Sequence, residues 1–223
     1  MLDTYRRVTL AIVRMVNSLR GGTYAQAGEL LLTPRDYEQV SEAGRLAFER
    51  ELVYPTIGEL SLRLRGERMV ITRAGADFAS LEKESLLVCS LQPGKPVGSA
   101  PRRLEWHRAV YAATSAGGVL ICQPPHTILA TLADLPLRSE WAPEIFEAIG
   151  GVVSSGELPL AETAPVAEAA SEGHAVLLPG VGALVWGDSP LDAVYRAGAL
   201  EYIARLAFLA HQGGLSDHLV RDS

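Results

Sequence analysis

The periodicity of the chain changes at Pro55, and that change limits its fold more than any other feature. Before it, Val40, Ala43, Leu46, Ala47 and Leu52 recur at helical spacing, which predicts a helix from Asp36 to Val53 stopped by Pro55. After it, Leu60 to Arg65 alternates apolar and polar residues with a period of two. Gly66-Glu67 then supplies a turn, and Met69 to Thr72 reads as the return strand of a hairpin. Ser85 to Ser90 is a further strand. A helix over 102–115, a buried strand from Val119 to Cys122, a break at Pro124-Pro125 and a helix over 126–134 ended by Pro136 follow. Next come a short helix over 142–149, a strand at Val152-Val153 and an Ala/Glu-rich helix from Glu162 to Glu172. Ala175–Leu178 and Ala183–Trp186 are strands around a Gly180–Gly182 turn. Ser189-Pro190 places a capping Ser and a first-turn Pro at the start of a last helix reaching about His211. Strands that come partly as hairpins and partly between helices predict an α/β fold of three layers, αβα: a mixed central sheet covered by helices on both faces.

The chain has 223 residues, 48% of them apolar and 21% charged, which suits one folded domain with a substantial core. Residues 3–20 read as a helix with Leu10, Val13, Met15 and Val16 on one face, ended by Gly21-Gly22, and 21–38 as an irregular arm. The expected organisation is therefore an N-terminal helix and arm over 1–37, a main domain over 38–212 and a mobile tail over 213–223. The net charge of −6 and the presence of only two lysines, Lys83 and Lys95, leave no electrostatic footprint for nucleic acid. No run of about 20 apolar residues is present to span a membrane. Residues 1–8 carry Asp3, Arg6 and Arg7 without an apolar stretch of signal-peptide type, so the expected location is the cytoplasm. Cys89 and Cys122 lie in apolar runs and are expected to be buried free thiols.

Several short motifs occur in a telling order. Gly58-Glu59-Leu60-Ser61-Leu62-Arg63 precedes Thr72-Arg73-Ala74-Gly75. His107 and Tyr111 then lie one helical turn apart, with Trp106 before the His. Ile121-Cys122-Gln123-Pro124-Pro125, Leu177-Leu178-Pro179-Gly180-Val181-Gly182 and Trp186-Gly187 follow, and Glu201 and Ala204 lie in the last helix. In order and spacing this series, over roughly residues 38–211, resembles the class II aldolase/adducin family, which includes sugar-phosphate aldolases, a ribulose-phosphate epimerase and the non-enzymatic adducin head. The resemblance implies the aldolase-like αβα fold and a homo-oligomer, usually a ring of four with sites between neighbours.

What the resemblance implies about chemistry fits these residues poorly. Family members hold Zn²⁺ with three imidazoles, two from a His-x-His strand and one from the late hairpin. The metal acts as a Lewis acid on an enediolate, and a Glu on the helix serves as acid/base. Aligned on Pro124-Pro125, the metal positions are Ile121, Gln123 and Val181; counted without a gap from Tyr111, the strand positions are Cys122 and Pro124. In neither register do two histidines appear. The acid/base position is Arg103, which cannot act as a base at neutral pH. No zinc or other cofactor is therefore expected. A replacement metal site from Glu105, His107 and Cys122, or a Cys122/His126 nucleophile pair, has no supporting spacing. In the phosphate pocket Glu59, Ala74, Pro101 and Arg102 replace the family's Asn and Ser residues. Glu59 would repel a phosphate unless paired, and Arg73, Arg102 and Arg103 can pair it internally or bind an anion themselves.

The ligand-binding candidates are Glu59, Ser61, Thr72, Arg73, Gly75, Arg102, Arg103, Gln123 and His126, and the ligand class is a small anion. Three functions follow. The first is a binding or scaffold domain without zinc or aldolase activity. The second is a divergent sugar or sugar-phosphate enzyme in which Glu59 or Glu105 transfers protons. The third is an aldolase whose metal ligands lie in another register.

Overall fold

A computed structural model describes residues 32–94, 99–154 and 162–215, so the helix expected over 3–20 and most of the expected tail lie outside the described residues. The first described helix, α1 (Pro34–Glu49), starts two residues earlier than its apolar spacing suggested. Thr33 caps it: its hydroxyl accepts from the Asp36 amide at 3.1 Å, and the Asp36 carboxylate accepts from the Thr33 amide. Pro34 supplies a first-turn residue whose missing amide proton is not needed there.

Pro55 does not end this helix. The chain leaves it at Arg50, passes through a left-handed Glu51 (φ 57°) and folds back so that the Leu52 amide donates to Ala47 O at 2.9 Å. Leu52 and Val53 were read as its last turn. They are instead buried beneath it, because two large apolar side chains gain more from the core than from a further turn.

Seven strands follow: β1 (Glu59–Leu64), β2 (Arg68–Thr72), β3 (Leu86–Ser90), β4 (Gly118–Cys122), β5 (Val152–Ser154), β6 (Ala175–Leu178) and β7 (Gly182–Gly187). They form one sheet in the order β3-β2-β1-β4-β7-β6-β5, antiparallel throughout except for the β5–β6 edge. The sheet is thus mixed, as the alternation of hairpins and crossovers predicted.

Five further α-helices, α2 (Leu104–Ala113), α3 (Pro125–Leu132), α4 (Pro143–Ile149), α5 (Ala164–Glu172) and α6 (Pro190–Gln212), and two short 3₁₀ turns at Lys83–Ser85 and Ser139–Trp141 complete the described structure. Successive strand residues point to opposite faces, and two separate cores result. Leu60, Leu62, Val70, Leu120, Cys122 and Val185 pack with apolar residues of α1, α4 and α6. Met69, Ile71, Val119, Ile121, Leu184 and Trp186 pack with α2 and α5 on the other face. Both cysteines are buried and unpaired, as expected. Among the described residues, no helix is long and apolar enough to cross a membrane.

Candidate functional site

The register of the sheet collects several of the candidate residues at one end. Glu59 opens β1 opposite Ile121 near the end of β4, and Cys122 lies opposite Ala183 at the start of β7. The tight β6–β7 turn, with the Val181 amide donating to Leu178 O, presses Gly182 against this end. A Cβ on Gly182 would stand 2.0 Å from Cys122 O and 2.9 Å from Gln123 Cα, and its φ of +134° is one that side-chain-bearing residues rarely adopt. Glycine therefore lets the β6–β7 turn lie against the backbone of residues 122 and 123. The segment before α2 joins the same region: the Ala74 amide donates to Ser99 O at 3.0 Å, and the Arg103 amide reaches Glu59.

Glu59 is the centre of the arrangement, and its carboxylate is almost wholly buried. Both of its oxygens accept from the Arg103 amide, at 3.1 and 3.2 Å, at the N-terminus of α2. The partial positive charge of a helix start favours a carboxylate there. The Arg103 guanidinium stands 3.8 Å from one oxygen and lies over the Trp106 ring, and His107 Nε2 stands 3.7 Å from the other oxygen. Both distances exceed hydrogen-bond reach.

Behind Glu59 runs a fully buried chain of polar groups. His107 Nδ1 and Ser61 Oγ are 2.7 Å apart, and Ser61 Oγ and the Tyr111 hydroxyl are 2.8 Å apart. Burial pushes the Tyr111 phenol far above its usual range, so it is a donor. The assignment that serves Tyr111, Ser61 and His107 Nδ1 alike has Tyr111 donating to Ser61 and Ser61 donating to His107 Nδ1, which leaves the imidazole proton on Nε2 on the side of Glu59. Arg63 braces the helix from its far end: its guanidinium donates to the carbonyls of Tyr111, Thr114 and Ala116 and lies over the Tyr111 ring. His107 is therefore bonded to Ser61 on one side and stands beside Glu59 on the other.

The other candidates lie elsewhere or are already engaged. The Thr72 hydroxyl accepts from the Leu60 amide at 3.0 Å and ties β2 to β1. Arg73 donates to Glu84 O, Gly75 sits exposed in the turn after β2, and Arg102 is exposed to solvent. His126 turns to α6, where Glu201 Oε1 stands 2.7 Å from its Nδ1. Glu201 also accepts from the His126 amide and from the amide and hydroxyl of Thr127, so it caps α3 from a helix 75 residues further on. In sequence, nothing but its place in the last helix distinguished Glu201. Cys122 belongs to the core on the face away from α2, so the Glu105/His107/Cys122 site does not assemble; its thiol, pushed far up by burial, donates to Ala183 O, and the His126 ring is engaged by Glu201.

The donor chemistry at positions 121, 123 and 181 does not fit zinc. Ile121 is fully buried in the α2-side core, and Val181 packs against the same core. Gln123 offers a buried amide oxygen without a hydrogen-bond partner. One neutral oxygen between two alkyl groups is not a ligand set for this metal.

The fold defines an αβα domain of the class II aldolase type, with a buried Glu–His–Ser–Tyr cluster where α2 meets the sheet. The chain belongs to the Class II Aldolase and Adducin N-terminal domain family, which it matches over residues 38–208. A methylthioribulose-1-phosphate dehydratase from a Bradyrhizobium species is 28% identical to it, the match covering 74% of this chain and 87% of that protein. The crystal structure of l-fuculose-1-phosphate aldolase from Thermus thermophilus superposes with a TM-score of 0.68 at 26% identity, covering 82% of this chain and 96% of that one. That of a sugar-phosphate aldolase from Thermotoga maritima gives 0.65 at 17% identity, over 81% and 96%, a likeness of fold.

Proposed function

We propose that this chain is a class II aldolase-fold domain that has lost zinc binding and metal-dependent carbon–carbon chemistry, and that it works as a binding or scaffold protein. The observation that carries this reading is the set of side chains at this end of the sheet. Position 103 bears an Arg, the nearby carboxylate of Glu59 is engaged with the protein's own α2 amide, and positions 121, 123 and 181 carry Ile, Gln and Val. The proposal extends to a cytoplasmic homo-oligomer, a tetramer by resemblance to the family.

A second reading is favoured by one feature. Glu59 faces the proton-bearing edge of a buried imidazole, the geometry of a group that exchanges a proton through His107. The Bradyrhizobium relative is also an enzyme by name, and so is the Thermus neighbour. On this reading the chain is a metal-independent enzyme acting on a sugar or sugar phosphate.

Elemental analysis of the purified protein, with aldol-cleavage and dehydration assays on sugar phosphates, tests both. The binding reading expects no stoichiometric zinc and no turnover. About one zinc per chain with aldol cleavage would refute it. Turnover without metal that disappears in a folded Glu59→Gln variant would establish the second reading in its place.

A further inference from the structure

The last helix, α6, is apolar on two sides. Ala193, Val194, Ala197, Leu200 and Ile203 belong to the core against the sheet. Tyr195, Ala199, Tyr202, Leu206 and Leu209 recur on the opposite side at alternating spacings of four and three, the pattern of a helix that packs against another helix. This second stripe is half open: Tyr195, Tyr202 and Leu209 are 47%, 50% and 49% exposed. A helix that is apolar on both sides ordinarily has cover on both. The sequence holds a matching stripe outside the described residues. In the segment 3–20, which its sequence marks as a helix, Tyr5, Val8, Ile12, Met15 and Leu19 recur at spacings of three and four. The positions flanking that stripe are Thr4, Thr9, Ala11, Val16 and Ser18, none of them charged, while Arg6, Arg7, Arg14 and Arg20 fall on the far side of such a helix. From 5 to 19 and from 195 to 209 the two stripes have the same length, about 21 Å of helix.

We propose that residues 3–20 lie along this outer face of α6 in the same chain, with Ile12 over Tyr202 and the four arginines turned to solvent. Ile12 and Tyr202 are the central residues of their stripes, so they meet whichever way the segment runs. The connection permits it. Residues 21–32 can span about 40 Å, and α1, which follows them, is about 24 Å long. That helix packs on α6, and the Arg50 guanidinium just past its end lies 5.0 Å from the centre of the Tyr195 ring. The start of α1 is therefore close enough for the connection to bring the segment onto the stripe. Charge favours the same pairing: residues 1–31 carry four arginines against Asp3 and Glu29, whereas the whole chain has a net charge of −6. A membrane surface attracts basic amphipathic helices as well, but it would leave the α6 stripe open.

The test is disulfide cross-linking in the full-length chain. Ile12→Cys combined with Tyr202→Cys is expected, under mild oxidation, to close within one chain and give a faster-migrating monomer on a non-reducing gel. Leu10→Cys combined with Tyr202→Cys, in which position 10 faces away, is expected to stay open. Trypsin cleavage at Arg14 is expected to be at least about tenfold faster in Tyr202→Glu than in the wild type, because cleavage follows local opening. Circular dichroism checks that each variant is folded. Equal cross-linking in the two double-cysteine variants, or none in the first, would overturn the proposal, as would a wild type cut at Arg14 as fast as folded Tyr202→Glu. So would a cross-link that joins two chains, which makes the stripe an interface between copies. Protection of Arg14 that appears only with phosphatidylglycerol vesicles would also overturn it, and would place the segment on a membrane.

Discussion

Replacing Glu201 with Ala is expected to destabilise the fold by about 3 kcal/mol, although this residue lies far from the sheet-end cleft in sequence. One carboxylate of α6 accepts the amides of His126 and Thr127, the Thr127 hydroxyl and a proton shared with His126 Nδ1. Water can replace it at His126, whose side chain is 30% exposed, but not at Thr127, which is completely buried. The cost therefore combines loss of a helix cap, about 1 kcal/mol, with desolvation of a buried amide and hydroxyl left without an acceptor, about 1–3 kcal/mol. For a chain of this length that is a fall in Tm of about 6–12 °C. Urea unfolding monitored by circular dichroism measures it, with the m-value serving to confirm that the unfolded state is unchanged. Glu201→Gln should recover only part of the loss, because its amide turns two donors toward the donors of α3. An Ala variant within about 0.5 kcal/mol of wild type, the range of an ordinary surface substitution, would refute the claim that this carboxylate holds α3 in place.

Three further outcomes follow from the geometry. Gly182→Ala, with its Cβ 2.0 Å from Cys122 O, should give little soluble protein or a Tm too low to measure. Ser61→Ala strips partners from both His107 Nδ1 and Tyr111 and should cost about 2–4 kcal/mol, whereas Tyr111→Phe, which removes the donor at the end of the chain, should cost about 1 kcal/mol by urea titration. Burial pushes the Cys89 thiol up from 9.0 to about 11, with Arg108 opposing the rise and Glu105 adding to it. Labelling at pH 8 should then be about 100-fold slower than for an exposed thiol. Because the unfolded thiol ionises first, this group's contribution to stability is complete below pH 9 and is lost as the pH rises toward 11.

Much of the architecture was legible because strands buried on one or both faces advertise themselves. The alternation of Leu60 to Arg65 and the apolar run ending at Cys122 both gave strands within a residue or two of their ends. The ends of α1 were not legible. Its cap is a Thr–Asp pair before the apolar periodicity begins, and its last turn was overruled by burial of Leu52 and Val53, a tertiary effect that spacing does not carry. At the cleft, the residue types at 59, 103, 121, 123 and 181 were visible from the resemblance. That Glu59 would take the Arg103 backbone amide and leave the guanidinium at arm's length was not, because it depends on the distance between β1 and α2. The capping role of Glu201 was not legible for the same reason: its partners come from a helix 75 residues away.

The position of β7 between β4 and β6 bears on how the chain matures as it is made. β4 leaves the ribosome with one edge satisfied by β1 and the other bare, and that bare edge waits through α3, α4, β5, α5 and β6 before residues 182–187 arrive to close it. Until then the nascent protein carries an apolar sheet margin, Val119 to Cys122, open to any passing strand. The segment that seals it is followed at once by the helix that caps α3, so the newest part of the polypeptide finishes the oldest part of the work.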